Sequence, residues 1–542
     1  MFLYTFVYYL SDNSMSKYFF RFVFYPCLIL MLCITACKQQ PQIATKFYKH
    51  YQNKVYNEFD TAAYYTEFSR QLALLKPRLR YSATLNNYYK SRHFELHFVD
   101  QFLFNGQLRT LIKYLNDAPG HGLNAAVFNA ASIERDLDTM EANHFTKIQD
   151  VYPVLVRLEL ETASSLLTYA TALQYGVVNP RSLYRRYDIP VKRPDSLMFK
   201  KVLEADSLNS YLEQIQPRSE AYLVLKKELA AMSTVTNADS LQLRTIKLNM
   251  ERLRWQTPAK DSRYLWVNIP AFKLQWIENK KVVFDMKVCL GEPKPAGYDT
   301  MLLRYLKTHS IDDKPVNHET TILCSRINTI QLNPNWNIPS SIAQNEIYYA
   351  ILRNPAYLSN NNIRVYYKDK LVTQPDTIRW GRIQRQKIPY KFKQDASELN
   401  ALGKFKFIFD NEAGIYLHDT PNKKAFGSSW RAVSHGCVRV EDPLKLSEAL
   451  VNDTNMVDNI RMEVGLKPVN LKDTTKYNAI QAKRAVKGFE LKSKYIGLKP
   501  DMQLFIDYYT CWPDENGKLV FYADAYRMDT VLEKAMGKYL NK

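Results

Sequence analysis

Near Pro258 the sequence changes its period, and that change divides the chain. Before it, apolar residues recur at helical spacing. In 154–175, VLVRLELETASSLLTYATALQY, the side chains of Leu155, Leu158, Leu166, Tyr169 and Leu173 share one face, and Gly176 stops the run. The stretch 94–115 behaves alike and ends at Asn116-Asp117-Ala118-Pro119-Gly120, while 220–233 and 241–255 are amphipathic and charged. After Pro258, YLWVNIPAFKLQWIENKKVVFDMKVCL (264–290) alternates and is rich in Val, Ile, Trp and Phe, with Glu278-Asn279-Lys280 as a hairpin turn. Further strands are expected at 327–332, 404–409 and 414–418, and helices at 340–351 and 443–452. The pattern predicts an α+β chain: a helical domain over 46–257, a mainly β domain over 258–470, and a C-terminal segment, 471–542, packing on both. No internal repeat is evident.

Residues 353–400 interrupt the β half. They are basic, aromatic and rich in turn formers, and their tyrosines, Trp380 and Pro389 argue against disorder. An insertion of this length inside a compact domain is read as a lid or a partner surface.

The N-terminus reads as an export signal. Residues 1–14 look like an upstream extension with Met15 as the start, and Lys17 and Arg21 form a charged n-region before FVFYPCLILMLCITA (22–36). That run is too short to span a bilayer, which needs about 20 apolar residues, and has the length of a signal core. It ends Ile34-Thr35-Ala36-Cys37, after which polar residues to about 45 form a tether. Small residues before the cut and Cys after it resemble a bacterial lipobox, with Cys37 as the lipidated first residue of the mature protein.

The net charge is +20, with Lys and Arg scattered rather than clustered. Such an excess suits an anionic surface or polymer. No zinc-finger spacing or Gly-rich phosphate loop accompanies it, so no nucleic-acid partner and no cofactor is expected. Beyond the signal region lie Cys289, Cys324, Cys437 and Cys511, too scattered for a disulfide framework, although a Cys289–Cys324 bridge is conceivable in an exported protein. In the helical half His93, His97, His121 and His144 stand alone and read as surface or helix-end residues.

The chemistry concentrates in SHGCVRVEDP (434–443). A thiol becomes a strong nucleophile when a neighbour takes its proton. His435 lies two residues from Cys437, and His418, in IYLHDTP, closes an expected strand 19 residues upstream. Gly436 lets a substrate approach the backbone, and N–H groups at Cys437 and its neighbours, Val438 included, suit an oxyanion. Two other readings stay open on these residues alone: a zinc site on His418, His435 and Cys437, and an inert core thiol.

The combination HDTP…SHGCVRV resembles the signature of the L,D-transpeptidases with a YkuD-type catalytic domain. His418, Ser434, His435, Gly436, Cys437 and Arg439 match its pattern. NPNWNIPSSIA (333–343), NALGKFKFIF (400–409), YTCWPDENGKLVFYADAY (509–526), NGQLRTLIKYLNDAPGHGLN (105–124) and LQYGVVNPR (173–181) resemble the long Gram-negative branch, which carries an N-terminal scaffold domain. The resemblance implies Cys437 as nucleophile and His418 as base, oriented by the Asp419 carbonyl. It implies His435 and Ser434 as supports of the loop, and Arg439 as an anchor of the loop or of a substrate carboxylate. Trp336 and Asn333 are expected close to the site. It further implies peptidoglycan stem peptides as substrates and a periplasmic enzyme, held by lipid in the outer membrane, that serves wall biogenesis and cell shape. L,D-carboxypeptidase activity, protein-to-wall anchoring and a non-catalytic wall-binding role are the alternatives; nothing in the sequence specifies an oligomeric state. A papain-type protease is excluded by order, since His precedes Cys here. Two features depart from the branch: there is no room between 226–231 and the 241–255 helix for a peptidoglycan-binding module, and Asp395-Ala396-Ser397-Glu398-Leu399 stands where a Pro-Gly-Pro turn is expected.

Overall fold

The computed structural model describes residues 41–233, 240–451 and 453–540. The expected signal, its Cys37 and the tether as far as residue 40 lie outside them; the tether ends earlier than expected, because Gln42–Tyr51 is already helical. No helix among the described residues is long and apolar enough to cross a membrane.

The chain forms two compact units. The first comprises residues up to Asn116, Phe128–Tyr169 and Ser196–Gln214, and is helical. Its centre is the helix Ile148–Tyr175, on which Leu155, Leu158 and Leu166 are fully buried. The expected helix over 94–115 is broken: His97–Phe102 and Gln107–Asn116 are separated by a 3-10 turn, and Asn105 Oδ1 accepts the Gln107 N–H at 3.2 Å, which starts the second helix afresh.

The second unit holds Asp117–Val127, Ala170–Asp195 and everything from Ile215. The expected single helical domain over 46–257 is therefore divided, and its last helices belong with the β half. The reason is polar: on the helix Ser240–Arg254, Arg252 donates to Asp529 at 2.6 Å and Asn249 to Thr510 at 2.8 Å, both in the C-terminal segment. Periodicity reveals that a helix has a buried face, not which unit buries it. In the same unit His121 ends the 3-10 helix Ala118–His121, the helix-end place expected for it, and not the surface one. It is buried, with Nδ1 3.0 Å from the Tyr222 hydroxyl and Nε2 3.0 Å from Lys226 Nζ.

The strands of the β half, in chain order, are β1 (Arg263–Asn268), β2 (Lys273–Glu278), β3 (Lys281–Gly291), β4 (Leu323–Leu332), β5 (Trp336–Ile338), β6 (Ile363–Tyr367), β7 (Lys370–Leu371), β8 (Tyr390–Gln394), β9 (Phe405–Phe409), β10 (Leu417–His418), β11 (Ala432–Ser434), β12 (Val438–Val440) and β13 (Lys494–Asp507), followed by a separate two-stranded hairpin of β14 (Cys511–Pro513) and β15 (Leu519–Phe521). Nine of them form one sheet in the order β11-β3-β12-β10-β9-β4-β13-β1-β2; β2 also pairs with β3, so the sheet closes on itself. Leu265, Val267, Leu274, Val288, Ile327, Ile330, Phe407, Leu417, Val438 and Leu504 are buried within it. The expected hairpin turn is present, with Asn279 and Lys280 at positive φ. The expected boundary at 470 is not: β13 lies between β4 and β1 in the sheet, so 494–507 completes the barrel rather than packing on it.

The insertion is a small folded subdomain that begins earlier than expected, at β5. It has a four-stranded antiparallel sheet, β5-β8-β6-β7, and its own core of Ile338, Ile347, Ile351, Leu358, Val365, Trp380 and Phe392. Its exit, where Pro-Gly-Pro is absent, is built by buried Asn400. That amide donates to the carbonyls of Pro334 and Asp395 at 3.0 and 2.9 Å and accepts the Leu402 N–H at 2.8 Å.

Candidate active site

Cys437 and His418 lie on neighbouring parallel segments of the sheet, His418 in β10 and Cys437 directly before β12. Parallel β10 and β12 pair Leu417 with Val438 and His418 with Arg439. Residues two apart on a strand share a face, so Tyr416 and His418 face the same side as Cys437 and Arg439. Tyr416 makes the link: it acts on the Cys437 thiol through its main chain and its hydroxyl, in the direction that lowers the thiol pKa, and its ring lies 5.6 Å from that of His418. Burial raises the Tyr416 hydroxyl pKa, and Trp336 acts on the same hydroxyl in the lowering direction.

His418 is buried, and its Nδ1–H donates to the Asp419 carbonyl oxygen at 2.5 Å. This fixes the tautomer and leaves Nε2 as the basic nitrogen. Burial, joined by the positive charges of Arg439, Lys406 and Lys423, pushes its pKa down to about 3. The ring is therefore neutral at any ordinary pH. The Asp419 carboxylate serves the chain instead: it accepts the N–H groups of Lys404 at 2.8 Å and Thr420 at 2.7 Å, and pairs with Lys423.

Burial raises the Cys437 thiol, against the lowering influence of the Tyr416 hydrogen bonds and of Lys406 and Arg439. The resting pair is thus thiol and imidazole rather than thiolate and imidazolium. Lys406, across β9 from His418, holds its ammonium 3.8 Å from the centre of the Tyr416 ring, and burial lowers its pKa. Arg439 Nε is buried without a hydrogen-bond partner among the described residues.

The Cys437 loop is a set of main-chain clamps. Ser434 Oγ donates to the Cys437 carbonyl at 2.6 Å and accepts the Gly436 N–H at 3.2 Å. Gly436 has φ +121°, a region favouring glycine. Its carbonyl accepts from Thr320 Oγ1 at 2.9 Å, and the same hydroxyl accepts the Gly291 N–H at 2.9 Å. A side chain at Gly291 would collide with the His318 carbonyl at 1.7 Å. His435 turns away from the thiol: its Nε2 lies 2.5 Å from Glu346 of the insertion, and its ring 4.6 Å from that of His318.

Several expected residues are placed differently. Asn333 sits at positive φ, buried, with its amide donating to the Glu463 carbonyl at 2.9 Å; it shapes the turn after β4 and does not enter the site. The Val438 N–H is occupied by the Tyr416 carbonyl at 3.1 Å and the Gly436 N–H by Ser434, so neither is a free oxyanion donor. The Cys437 N–H has no acceptor among the described residues. His418, His435 and Cys437 do not converge as ligands, and no group of three His, Cys, Asp or Glu with metal-holding geometry occurs among the described residues. Cys289, Cys324, Cys437 and Cys511 are all free, so no Cys289–Cys324 bridge forms.

The sequence reading missed Tyr416, Lys406, Thr320 and Glu346. Tyr416 was accessible, since it stands two before His418 on an expected strand. Thr320 and Glu346 reach the loop through space and leave no trace in spacing.

Comparison with known proteins assigns two regions of the chain. Residues 262–468 match the model of the L,D-transpeptidase catalytic domain of the YkuD family, and residues 83–229 match a Scaffold domain. A Haemophilus influenzae protein named "Putative L,D-transpeptidase" is 25% identical over 355 residues, 65% of this chain. The match spans 62% of that protein, less than two thirds of its length. The chain carries a YkuD L,D-transpeptidase catalytic domain with a Scaffold domain N-terminal to it.

Proposed function

We propose that this protein is a peptidoglycan L,D-transpeptidase that works through a Cys437 thioester. The observation that carries the reading is the neutral, buried His418, its Nδ1 pinned by the Asp419 carbonyl, on the same face of neighbouring strands as Cys437. His418 Nε2 accepts the thiol proton as sulfur attacks the carbonyl that links the third residue of a donor stem to D-alanine. The Cys437 N–H faces the developing oxyanion. The C–N bond breaks, His418 returns the proton to the leaving amine, and a thioester remains. The side-chain amine of a second stem then attacks, passes a proton to His418 and regenerates the thiol, joining two third residues.

Arg439 supports this reading, because a guanidinium with unused donors beside the thiol suits a stem carboxylate. Trp336 acts through Tyr416, on whose hydroxyl it bears. The protein would work in the periplasm, tethered by lipid at Cys37; a lipid-bearing N-terminal peptide, lost in Cys37→Ser, tests that part by mass analysis.

Incubation with purified tetrapeptide stems tests the reaction. Release of D-alanine with dimers linked between third residues is expected. Release of D-alanine with tripeptides alone would make the enzyme an L,D-carboxypeptidase, transfer to a protein amine would make it an anchoring enzyme, and no release would leave a wall-binding protein.

A further inference from the structure

The first helix of the insertion changes type where it meets the Cys437 loop. Ser340–Ile342 and Tyr348–Arg353 are α-helical, and Ala343–Ile347 between them is π-helical. Such turns carry an extra residue at the expense of regular bonding and are frequent at functional sites. Glu346 lies in this turn, and its Oε1 is 2.5 Å from His435 Nε2. The contact continues inward: the His435 ring meets His318 edge-on at 4.6 Å, and His318 Nδ1 is 3.4 Å from Glu292 Oε2. Two carboxylates thus bracket two imidazoles in edge-on contact, one carboxylate from the insertion and one from the segment after β3.

The loop between them is held unevenly. Its main chain is clamped from the barrel side, by Glu292 N–H on the Ser434 carbonyl at 2.8 Å and by Thr320 on the Gly436 carbonyl. From the insertion side, the His435 ring receives Glu346. His435 precedes Gly436, whose open backbone conformation would let the peptide swing and carry Cys437 with it.

We propose that Glu346 is a positioning residue: closure of the insertion brings its carboxylate onto His435, which fixes the loop so that the Cys437 thiol is aligned for acyl transfer. The proposal rests on the reading of Cys437 as the nucleophile. Glu346 and His435 are each partly exposed, and such a pair contributes little to folding. The loss on breaking it should therefore fall on rate, since small misplacements of a reacting group are costly.

The test uses the full chain with Glu346→Leu and Glu346→Gln, each alone and with His435→Ala. Two rates are read: acylation of Cys437 by a tetrapeptide stem, followed by intact mass, and alkylation of Cys437 by iodoacetamide, which needs no wall substrate. Glu346→Leu should slow acylation about tenfold and speed alkylation, as the insertion no longer holds its closed contact. Glu346→Gln, whose amide oxygen still accepts from His435, should stay close to wild type. With His435 replaced by Ala, Glu346→Leu should have no further effect. If no stem acylates the wild type but Glu346→Leu still speeds alkylation, and only when His435 is present, the coupling stands and the substrate assignment falls. Unchanged rates in Glu346→Leu, equal losses in the Leu and Gln variants, or the same loss with and without His435 would each overturn the proposal.

Discussion

Glu159 in the helical unit and His418 in the barrel are both buried ionisable groups tied to main chain, yet they are equipped differently. The Glu159 carboxylate accepts four hydrogen bonds: from the Tyr89 hydroxyl at 2.7 Å and from the N–H groups of His97 at 2.9 Å, Phe98 at 3.2 Å and Val99 at 2.9 Å. It is used up in starting the helix His97–Phe102. His418 spends one nitrogen on Asp419 and keeps the other. Near it, Arg439 and the Cys437 N–H also keep unspent donors. A satisfied buried group holds structure together; a half-satisfied one, surrounded by others like it, is equipped to meet a ligand.

This contrast fails most sharply if the two residues exchange effects. His418→Ala should slow acylation of Cys437 by roughly two to four orders of magnitude, while Glu159→Gln should leave the acylation rate within about twofold. Stopped-flow or quenched mass measurements with one donor peptide would compare them.

Stability should reverse the order. Glu159→Ala leaves the N–H groups of His97, Phe98 and Val99 without their acceptor, at a cost of about 1–3 kcal/mol for each unsatisfied group, so denaturant melts should show a loss of at least about 3 kcal/mol. A loss below 1 kcal/mol would place water in the vacated site.

The pH dependence sharpens the comparison, because the two groups slope in opposite directions. Burial raises the Glu159 pKa to about 7 in spite of its hydrogen bonds. The folded state then binds more protons than the unfolded chain between the ordinary carboxylate range and about 7, and this group's stabilisation is lost as pH rises through that window. His418 and His121 are each pushed down to about 3, foremost by burial. Here the unfolded chain binds more protons below the usual histidine pKa, so stability falls as pH falls from about 6.5 toward about 3. Relative to wild type, Glu159→Gln should flatten the first slope and His121→Gln part of the second, read from urea midpoints at several pH values. Parallel curves for a variant and wild type would contradict the corresponding assignment.

The smallest effect belongs to Lys406. Its charge lowers the Cys437 thiol pKa. Lys406→Met should raise that pKa and slow iodoacetamide alkylation at fixed pH by a few-fold, with the rates converging at high pH. Faster alkylation at neutral pH would mean that Lys406 acts by covering the thiol.

How much of this could be read in advance follows the range of each interaction. The α+β division, the 279–280 turn and the Cys437 loop are local, and the alternation and motif carry them. The strand β13 escaped because Gly497 and Pro500 interrupt its pattern, and the ladder absorbs them in an irregularity between Gly497 and Met502. The insertion was placed too late because β5 is only three residues long and looks like loop. The partition of the helices escaped because buried pairs such as Arg252–Asp529 join residues 277 apart. Asn333 was drawn into the site by its place beside Trp336, and the structure commits its side chain to Glu463 instead.

The central claim is that Cys437 carries the acyl group, with His418 moving the proton. Intact-protein mass spectrometry after mixing with a tetrapeptide stem tests it most directly. Wild type should gain the mass of a tripeptide acyl group as D-alanine appears, His418→Ala should gain it far more slowly, and Cys437→Ala should not gain it. An adduct on Cys437→Ala, or cross-linked product formed by that variant, would contradict the account.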